Sequence, residues 1–149
     1  LILTSQIKGE AKTVAKSLAS VALEIRSSNV PLEKPACIIV GGETSVIVKG
    51  NGIGGRNCEL ALSFAIEIAN KNKISALFAG TDGIDGPTNA AGAYCNETTG
   101  TKNRKTGTNA KDSLTNNDSY SFFKKTGDLK ITGPSGTNVN DIGIIFIEK

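Results

Sequence analysis

The feature that most constrains the fold is an apolar segment that runs directly into an acidic, glycine-rich loop. Residues 74–79 (ISALFA) predict a buried strand, and residues 80–87 (GTDGIDGP) follow it immediately. In α/β proteins ligands bind beyond the carboxyl ends of strands, so we expect a site here. Asp82 and Asp85 are candidate Mg²⁺ ligands, because this ion prefers carboxylate oxygens. Asp-Gly pairs also form plain turns; the doubled pair favours a functional Asp82 and leaves Asp85 open.

A second glycine-rich loop, residues 50–55 (GNGIGG), precedes a predicted helix that begins near Arg56. Backbone N–H groups at a helix start attract anions, which makes Gly54, Gly55 and Asn57 candidate contacts for a phosphate. A guanidinium beside such a loop can hold a phosphate or a carboxylate through two hydrogen bonds. The loop also matches the GxGxxG spacing of dinucleotide sites, so an NAD(P)-dependent oxidoreductase is an alternative interpretation.

The third glycine-rich loop, residues 133–141 (GPSGTNVND), separates the last two predicted strands. It is rich in short polar side chains, among them Asn138 and Asp141, and in backbone donors. An ordinary long turn is the alternative. The candidate cofactor contacts in this loop are Gly133, Gly136 and Thr137.

Glu43 is the candidate acid of another strand end. Residues 37–40 (CIIV) predict a short buried strand, and Glu43 follows it after two glycines. The alternative is an exposed acid in a hairpin. Because several loops of this kind follow predicted strands, we expect one site assembled from several strand ends.

Helix and strand patterns alternate along the chain, which predicts an α/β fold: a layered mixed, mostly parallel sheet flanked by helices, with glycine-rich loops at the strand carboxyl ends. The 149 residues fit one domain, residues 1–149. Residues 96–117 are polar and compatible with a helix but only weakly patterned. The predicted helices are residues 9–27, 56–70 and 118–125, and the predicted strands are residues 37–40, 45–49, 74–79, 129–132 and 142–147.

Composition excludes several functions. A net charge of +3 and 5% aromatic residues argue against a nucleic-acid-binding protein. No apolar run is long enough to span a membrane. The absence of histidine excludes Ser-His-Asp and Cys-His catalytic systems within this chain. Three scattered cysteines predict reduced thiols and a cytoplasmic protein. The absence of methionine leads us to expect a fragment of a longer protein.

Four segments together resemble the carboxyl-terminal domain of the class II glycerate kinases, the MOFRL domain, whose members are often labelled hydroxypyruvate reductases. The segments are GGETSVIVKGNGIGGRNCELAL, GTDGIDGPTNAAGA, NDSYSFF and TGPSGTNVNDI. The resemblance implies a two-domain kinase that transfers the ATP γ-phosphoryl group to D-glycerate, giving 2-phosphoglycerate, with Mg²⁺ as cofactor. It also implies an active site between this domain and a larger amino-terminal domain, which would be its partner. A homodimer is a further expectation.

Carried over motif by motif, the resemblance gives catalytic roles to four residues. They are Glu43 in GGE, Arg56 in GGRN, Asp82 in TDG and Asn138 in GTN. Phosphoryl transfer depends mainly on positioning and on charge neutralisation, and a glycine-rich loop, an arginine and acids that can bind Mg²⁺ supply both.

The sequence departs from the family pattern at two positions. Cys58 stands where the family usually has glutamine, and Asn89 stands where it usually has aspartate, which weakens a metal-binding role for residue 89. Two alternatives to a kinase stay open: an NAD(P)-dependent hydroxypyruvate reductase, and a non-catalytic domain that binds a partner.

Overall fold

Six strands form one mixed sheet in the computed structural model, which describes residues 1–101 and 107–149. The spatial order of the strands is β1-β2-β6-β3-β4-β5. In chain order they are β1 (Ile2–Ile7), β2 (Ala36–Gly42), β3 (Ile74–Gly80), β4 (Gly92–Asn96), β5 (Leu129–Lys130) and β6 (Asp141–Ile147).

The sheet is mostly antiparallel, so the predicted mostly parallel sheet is wrong, although the α/β class is confirmed. Strands β1 and β2 pair in parallel, whereas β6 lies antiparallel between β2 and β3, and β4 and β5 continue the antiparallel pairing. The carboxyl ends of β2 and β3 nevertheless lie at the same edge of the sheet, because both strands run opposite to β6. Asp141, the first residue of β6, pairs with Gly42 on one side and with Gly80 on the other. We call this end of the three strands the site edge.

Two helices cover one face of the sheet. Helix α1 (Ala11–Ser28) and helix α2 (Arg56–Glu67) pack against each other, and Phe64 of α2 meets Phe78 of β3 edge-on at a ring-centroid distance of 5.4 Å. Burial of a large apolar side chain of this kind contributes about 1.5–3 kcal/mol. The periodic spacing of apolar residues thus predicted both helices correctly, to within a few residues at each end. On the opposite face, Tyr94 and Phe146 remain 45% and 42% exposed.

The remaining elements are short. A 3₁₀ turn (Thr99–Thr101), helix α3 (Ala110–Thr115) and helix α4 (Ser119–Thr126) follow β4. Strands β1 and β4 were missed in the sequence. The helix-compatible segment 96–117 includes residues 102–106, which lie outside the described residues.

The predicted strand at residues 45–49 is wrong. Ser45 forms one isolated bridge with Glu10, and residues 46–49 are irregular. The alternation of β-branched residues is typical of a half-buried strand. Val48 is instead 70% exposed, and the backbone N–H of Lys49 donates to the side chain of Asn117 at 2.8 Å.

Candidate functional site

Arg56 and Asp141 form the centre of the site edge. Arg56 begins α2, and its Nε and Nη2 donate hydrogen bonds to Oδ2 and Oδ1 of Asp141 at 2.6 and 2.9 Å. Asn57 Nδ2 donates to the same Oδ1 at 3.0 Å. The hydrogen bonds to Asp141 raise the pKa of the Arg56 guanidinium despite its partial burial. Arg56 is therefore a fixed cation at the ends of β2 and β3. The motifs assign no role to Asp141, the aspartate that holds it.

Glu43 lies on the open side of the Arg56 guanidinium. Its Oε1 is 3.6 Å from Arg56 Nη2, and its side chain is 59% exposed, against 11% for Asp141. A guanidinium has five N–H donors, of which Asp141 accepts two. Arg56 therefore keeps donors for an incoming anion, and the long contact to Glu43 leaves that side chain free to move toward a ligand.

Asp82 and Asn138 approach each other from two different loops. Asp82 follows β3; its Oδ1 accepts a hydrogen bond from Ile84 N at 3.0 Å, and its Oδ2 lies 3.5 Å from Asn138 Nδ2. Asp82 is half-buried, whereas Asn138 is exposed. The structure thus brings together two residues that the motifs assigned to one site.

Thr81 and Ser135 connect these two loops. Ser135 Oγ donates to the Thr81 carbonyl at 2.6 Å, and Thr81 Oγ1 donates to the Asn140 carbonyl at 2.7 Å. Gly83 has a φ of +86°, and a Cβ there would lie 2.0 Å from the carbonyl oxygen of Gly133. Only glycine fits so close an approach. The two loops consequently form one unit, and neither Thr81 nor Ser135 was predicted, because short hydroxyl side chains in loops carry no distinctive signal.

The cofactor contacts predicted in the third loop lie on its outer surface. Gly133 and Gly136 both have positive φ, and a Cβ added at either would have no atom of the described residues within 4 Å. Gly136 and Thr137 are exposed and Gly133 is half-buried. The backbone of this loop is therefore accessible to a ligand at the site edge.

Asp85 occupies the start of α2, where a bound anion was expected. Its Oδ1 accepts a hydrogen bond from Asn57 N at 2.9 Å, and its Oδ2 accepts one from Cys58 N at 2.8 Å. Asp85 is 1% exposed, and burial raises its pKa more than these hydrogen bonds lower it. A Cβ at Gly55 would lie 2.4 Å from the Asp85 carboxylate.

This arrangement bears on two of the predictions. The backbone N–H groups of Asn57 and Cys58 donate to Asp85, so the Asn57 N–H is not free for the predicted phosphate, whereas Gly54 and Gly55 stay predicted contacts. Both oxygens of Asp85 are engaged with the helix start, so the structure does not support Asp85 as a metal ligand. The sequence did not reveal this contact, because the two segments approach only in the folded chain.

A second buried acid, Glu59, lies one turn further along α2. It is 1% exposed, and burial raises its pKa. Its Oε2 accepts a hydrogen bond from Asn117 Nδ2 at 2.8 Å, and Asn117 Oδ1 accepts from the N–H groups of Lys49 and Gly50 at 2.8 and 3.0 Å. Glu59 and Asn117 therefore fix the start of the glycine-rich loop. In the sequence, this role of Glu59 is indicated by a glutamate on the apolar side of a predicted helix.

The acids of the site edge fit a Mg²⁺ ion that is also held by substrate phosphates. Mg²⁺ is commonly held by one or two carboxylates together with substrate phosphates. Half-buried Asp82 can supply one carboxylate oxygen, and Glu43 is a second acid, which is exposed. Over residues 1–101 and 107–149, no group of three or more acids or cysteines is arranged to hold a metal ion by itself. Asn89, where the family usually has aspartate, is exposed and accepts a hydrogen bond from the Tyr120 hydroxyl at 2.8 Å.

The three cysteines are free thiols. Cys58 and Cys95 are buried, and burial raises the pKa of both thiols. No helix in the described part of the chain is long and apolar enough to cross a bilayer.

Curated relatives cover nearly the whole chain. It is 49% identical to a D-glycerate 2-kinase of Thermotoga maritima over 146 residues, which cover 98% of this chain and 35% of that protein. It is 41% identical to a glycerate 2-kinase of Pyrococcus horikoshii, with 98% and 33% covered. It is also 41% identical to a putative hydroxypyruvate reductase of Agrobacterium vitis, with 99% and 34% covered. The chain thus spans about a third of the length of these relatives.

Two solved structures share the fold. The crystal structure of the Thermotoga maritima glycerate kinase superposes with a TM-score of 0.96 at 48% identity, covering 99% of this chain and 36% of that one. A Pyrococcus horikoshii protein gives 0.93 at 40% identity, with 99% and 34% covered. The MOFRL family profile matches residues 36–141. The family resemblance predicted from the four motifs is confirmed, and this chain belongs to the MOFRL family.

Proposed function

We propose that this chain is the carboxyl-terminal domain of a kinase that transfers the γ-phosphoryl group of ATP to D-glycerate, giving 2-phosphoglycerate. The observation that carries the proposal is the Arg56–Asp141 pair at the site edge, with Glu43 and Asp82 at the neighbouring strand ends. The names of the Thermotoga maritima and Pyrococcus horikoshii relatives support the same reaction.

Arg56 neutralises negative charge on the transferred phosphoryl group or holds the carboxylate of D-glycerate. Its hydrogen bonds to Asp141 fix the plane of the guanidinium before substrate binds, so little entropy is lost when the remaining N–H donors engage an anion. Preorganised donors of this kind lower the barrier because charge spreads over the phosphoryl oxygens in the transition state.

Asp82 binds Mg²⁺ directly or through water, or accepts the proton of the substrate hydroxyl. When bound, Mg²⁺ neutralises charge on the phosphates. Glu43, which lies beside Arg56, and Asn138, which lies beside Asp82, orient the metal and the substrate. The accessible backbone at Gly133, Gly136 and Thr137 contacts phosphate oxygens. Asp85 has no catalytic role in this proposal, because its carboxylate accepts hydrogen bonds from the backbone at the start of α2.

The reductase alternative is less well supported. A dinucleotide fingerprint requires a strand before its glycine-rich loop and free N–H groups at the following helix start. Residues 46–49 are irregular, and Asp85 accepts hydrogen bonds from the N–H groups of Asn57 and Cys58. The Agrobacterium vitis relative is named a putative hydroxypyruvate reductase, so the reductase reaction is tested together with the kinase reaction.

We further propose that the active site is completed by a larger amino-terminal domain, as the lengths of the relatives suggest. A cytoplasmic location is consistent with three free thiols. A homodimer stays a prediction, to be tested by sedimentation of the complete gene product.

The test is an assay of the complete gene product with D-glycerate, ATP and Mg²⁺. We expect ADP release that depends on D-glycerate, and phosphorus NMR should identify 2-phosphoglycerate. A parallel reaction with hydroxypyruvate and NADH or NADPH tests the reductase. Oxidation of either nucleotide without any D-glycerate-dependent ADP release would overturn the proposal. Absence of both reactions from a folded sample would favour the non-catalytic alternative.

A further inference from the structure

A cavity of about 410 Å³ adjoins the site edge and shares Arg56 with it. Val46, Val48 and Pro87 supply apolar surface to its walls, and Glu59 and Thr44 also line it. Pockets for drug-sized ligands are typically about 300–1,000 Å³, mostly apolar, with a few polar groups that fix orientation. The cavity is thus larger and more apolar than a three-carbon hydroxy acid requires.

Two buried oxygen atoms of residues lining this cavity have no hydrogen-bond partner among the described residues. They are Glu59 Oε1 and Thr44 Oγ1, on side chains that belong to residues 1% and 6% exposed. A buried acceptor without a partner costs about 1–3 kcal/mol, and more when it is charged. A ligand that brings a hydrogen-bond donor to this place would remove that cost.

The neighbours of Glu59 determine which of its two oxygens is left without a partner. The N–H groups of Lys49 and Gly50 donate to Asn117 Oδ1, so Asn117 Nδ2 is the donor toward Glu59 Oε2. Asn117 cannot flip without losing both backbone hydrogen bonds. Oε2 is therefore occupied, and the ionised carboxylate has Oε1 left to accept a hydrogen bond from a ligand.

We propose that this cavity binds the adenine base of the nucleotide, with the 6-amino group donating a hydrogen bond to Glu59 Oε1. The inference rests on the proposed kinase function. Val46, Val48 and Pro87 would contact the faces and edges of the ring, and Arg56, which belongs to both sites, marks the direction in which the phosphates extend. Adenine combines a flat ring for the apolar walls with an exocyclic amino group that can donate to Glu59 Oε1.

The first test compares ATP with purine riboside triphosphate, which differs from ATP only by lacking the 6-amino group. Both are titrated calorimetrically into the complete gene product, wild type and Glu59→Gln. In the variant, Asn117 requires the amide oxygen, so the amide nitrogen takes the place of Oε1 and opposes the 6-amino donor. We expect the wild type to prefer ATP by about tenfold or more. We expect Glu59→Gln to lose this preference.

Equal affinity of the wild type for the two triphosphates would overturn the proposal, and so would an unchanged preference in a folded Glu59→Gln variant. Adenosine and purine riboside serve as a second ligand pair that requires no phosphate site. If the wild type discriminates these pairs but releases no ADP with D-glycerate, the kinase assignment fails and the base site stands.

A second variant avoids the buried network. Val48 lines the cavity but is 70% exposed, so Val48→Asp should fold normally. We expect it to weaken ATP binding by about fivefold or more, because the new carboxylate removes apolar contact. Val30→Asp, at an exposed position just after α1, is the matched control and should bind ATP normally. Unchanged ATP affinity in Val48→Asp would also overturn the proposal.

Discussion

Arg56 donates two hydrogen bonds to Asp141, although the two residues are 85 positions apart in the chain. The pair joins the first residue of α2 to the first residue of β6, at the point where β6 lies between β2 and β3. A guanidinium that donates to both oxygens of one carboxylate has a fixed plane as well as a fixed position. The orientation of Arg56 at the site edge is therefore set by Asp141.

Replacing either partner of this pair should reduce turnover. Arg56→Ala in the complete gene product should lower kcat by about 10²–10³-fold with little change in Tm, because it removes a charge-stabilising group. Asp141→Asn should lower kcat by about 10–100-fold, because the arginine stays but is misplaced. If the pair acts as a unit, Arg56→Lys combined with Asp141→Asn should cost less than the product of the single effects. Strict additivity would show that Asp141 does not act through Arg56.

Asp82 and Asp85 should respond differently to the same substitution. Asp82→Asn should lower kcat by about 10²–10³-fold and raise the Mg²⁺ concentration needed for half-maximal rate, with unfolding unchanged. Asp85→Asn should lower the free energy of unfolding by about 1–3 kcal/mol, because its amide nitrogen would face a backbone N–H of α2. Urea unfolding and steady-state kinetics measure both effects. A stable Asp85→Asn variant with an altered Mg²⁺ requirement would restore Asp85 as a metal ligand.

Glu59 should make stability depend on pH with a defined sign. Burial raises its pKa above the ordinary value of 4.5, so the folded chain binds the proton more tightly than the unfolded chain. Stability contributed by protonated Glu59 is therefore lost as the pH rises from about 4.5 through the folded pKa. Glu59→Gln should gain stability relative to wild type over that window, measured by urea unfolding. Glu67→Gln, an exposed change on the same helix, should show no such trend. A difference between Glu59→Gln and wild type that is constant with pH would contradict this account.

The three thiols should differ in reactivity. Cys37 is half-buried, whereas Cys58 and Cys95 are buried and burial raises their pKa values. In the native protein, Ellman's reagent should modify Cys37 well before the other two, and all three should react at once in denaturant, because the thiolate is the reacting species. Rapid native modification of Cys58 would show that the start of α2 opens. Cys58→Gln should keep activity if the family residue fits, and loss of most activity would reveal a role for Cys58.

The 149-residue chain by itself should be inactive. It spans about a third of its relatives, and its candidate catalytic residues lie at an exposed edge that we expect a second domain to cover. A coupled assay of the purified chain should detect no ADP release with D-glycerate. Turnover on the order of 1 s⁻¹, within the range of ordinary enzymes, would show that the chain needs no further domain.

The sequence alone determined the elements whose signals are local. Apolar periodicity marked α1 and α2, and the succession of apolar strand and acidic loop located Asp82 at the end of β3. Glycine-rich motifs identified the family. These inferences succeed because a helix face or a strand end is specified by residues close together in the chain.

Only the tertiary structure decided how these parts meet. Insertion of β6 between β2 and β3 made the sheet mostly antiparallel and brought Asp141 to Arg56. The close approach of Gly55 to Asp85 turned an expected anion site into an internal hydrogen-bonded helix start. The apolar pattern of a strand shows that the strand is covered, but not which strand lies beside it or whether the two run in the same direction. Contacts between residues far apart in the chain form only when the fold closes the intervening segment, so no local pattern could reveal them.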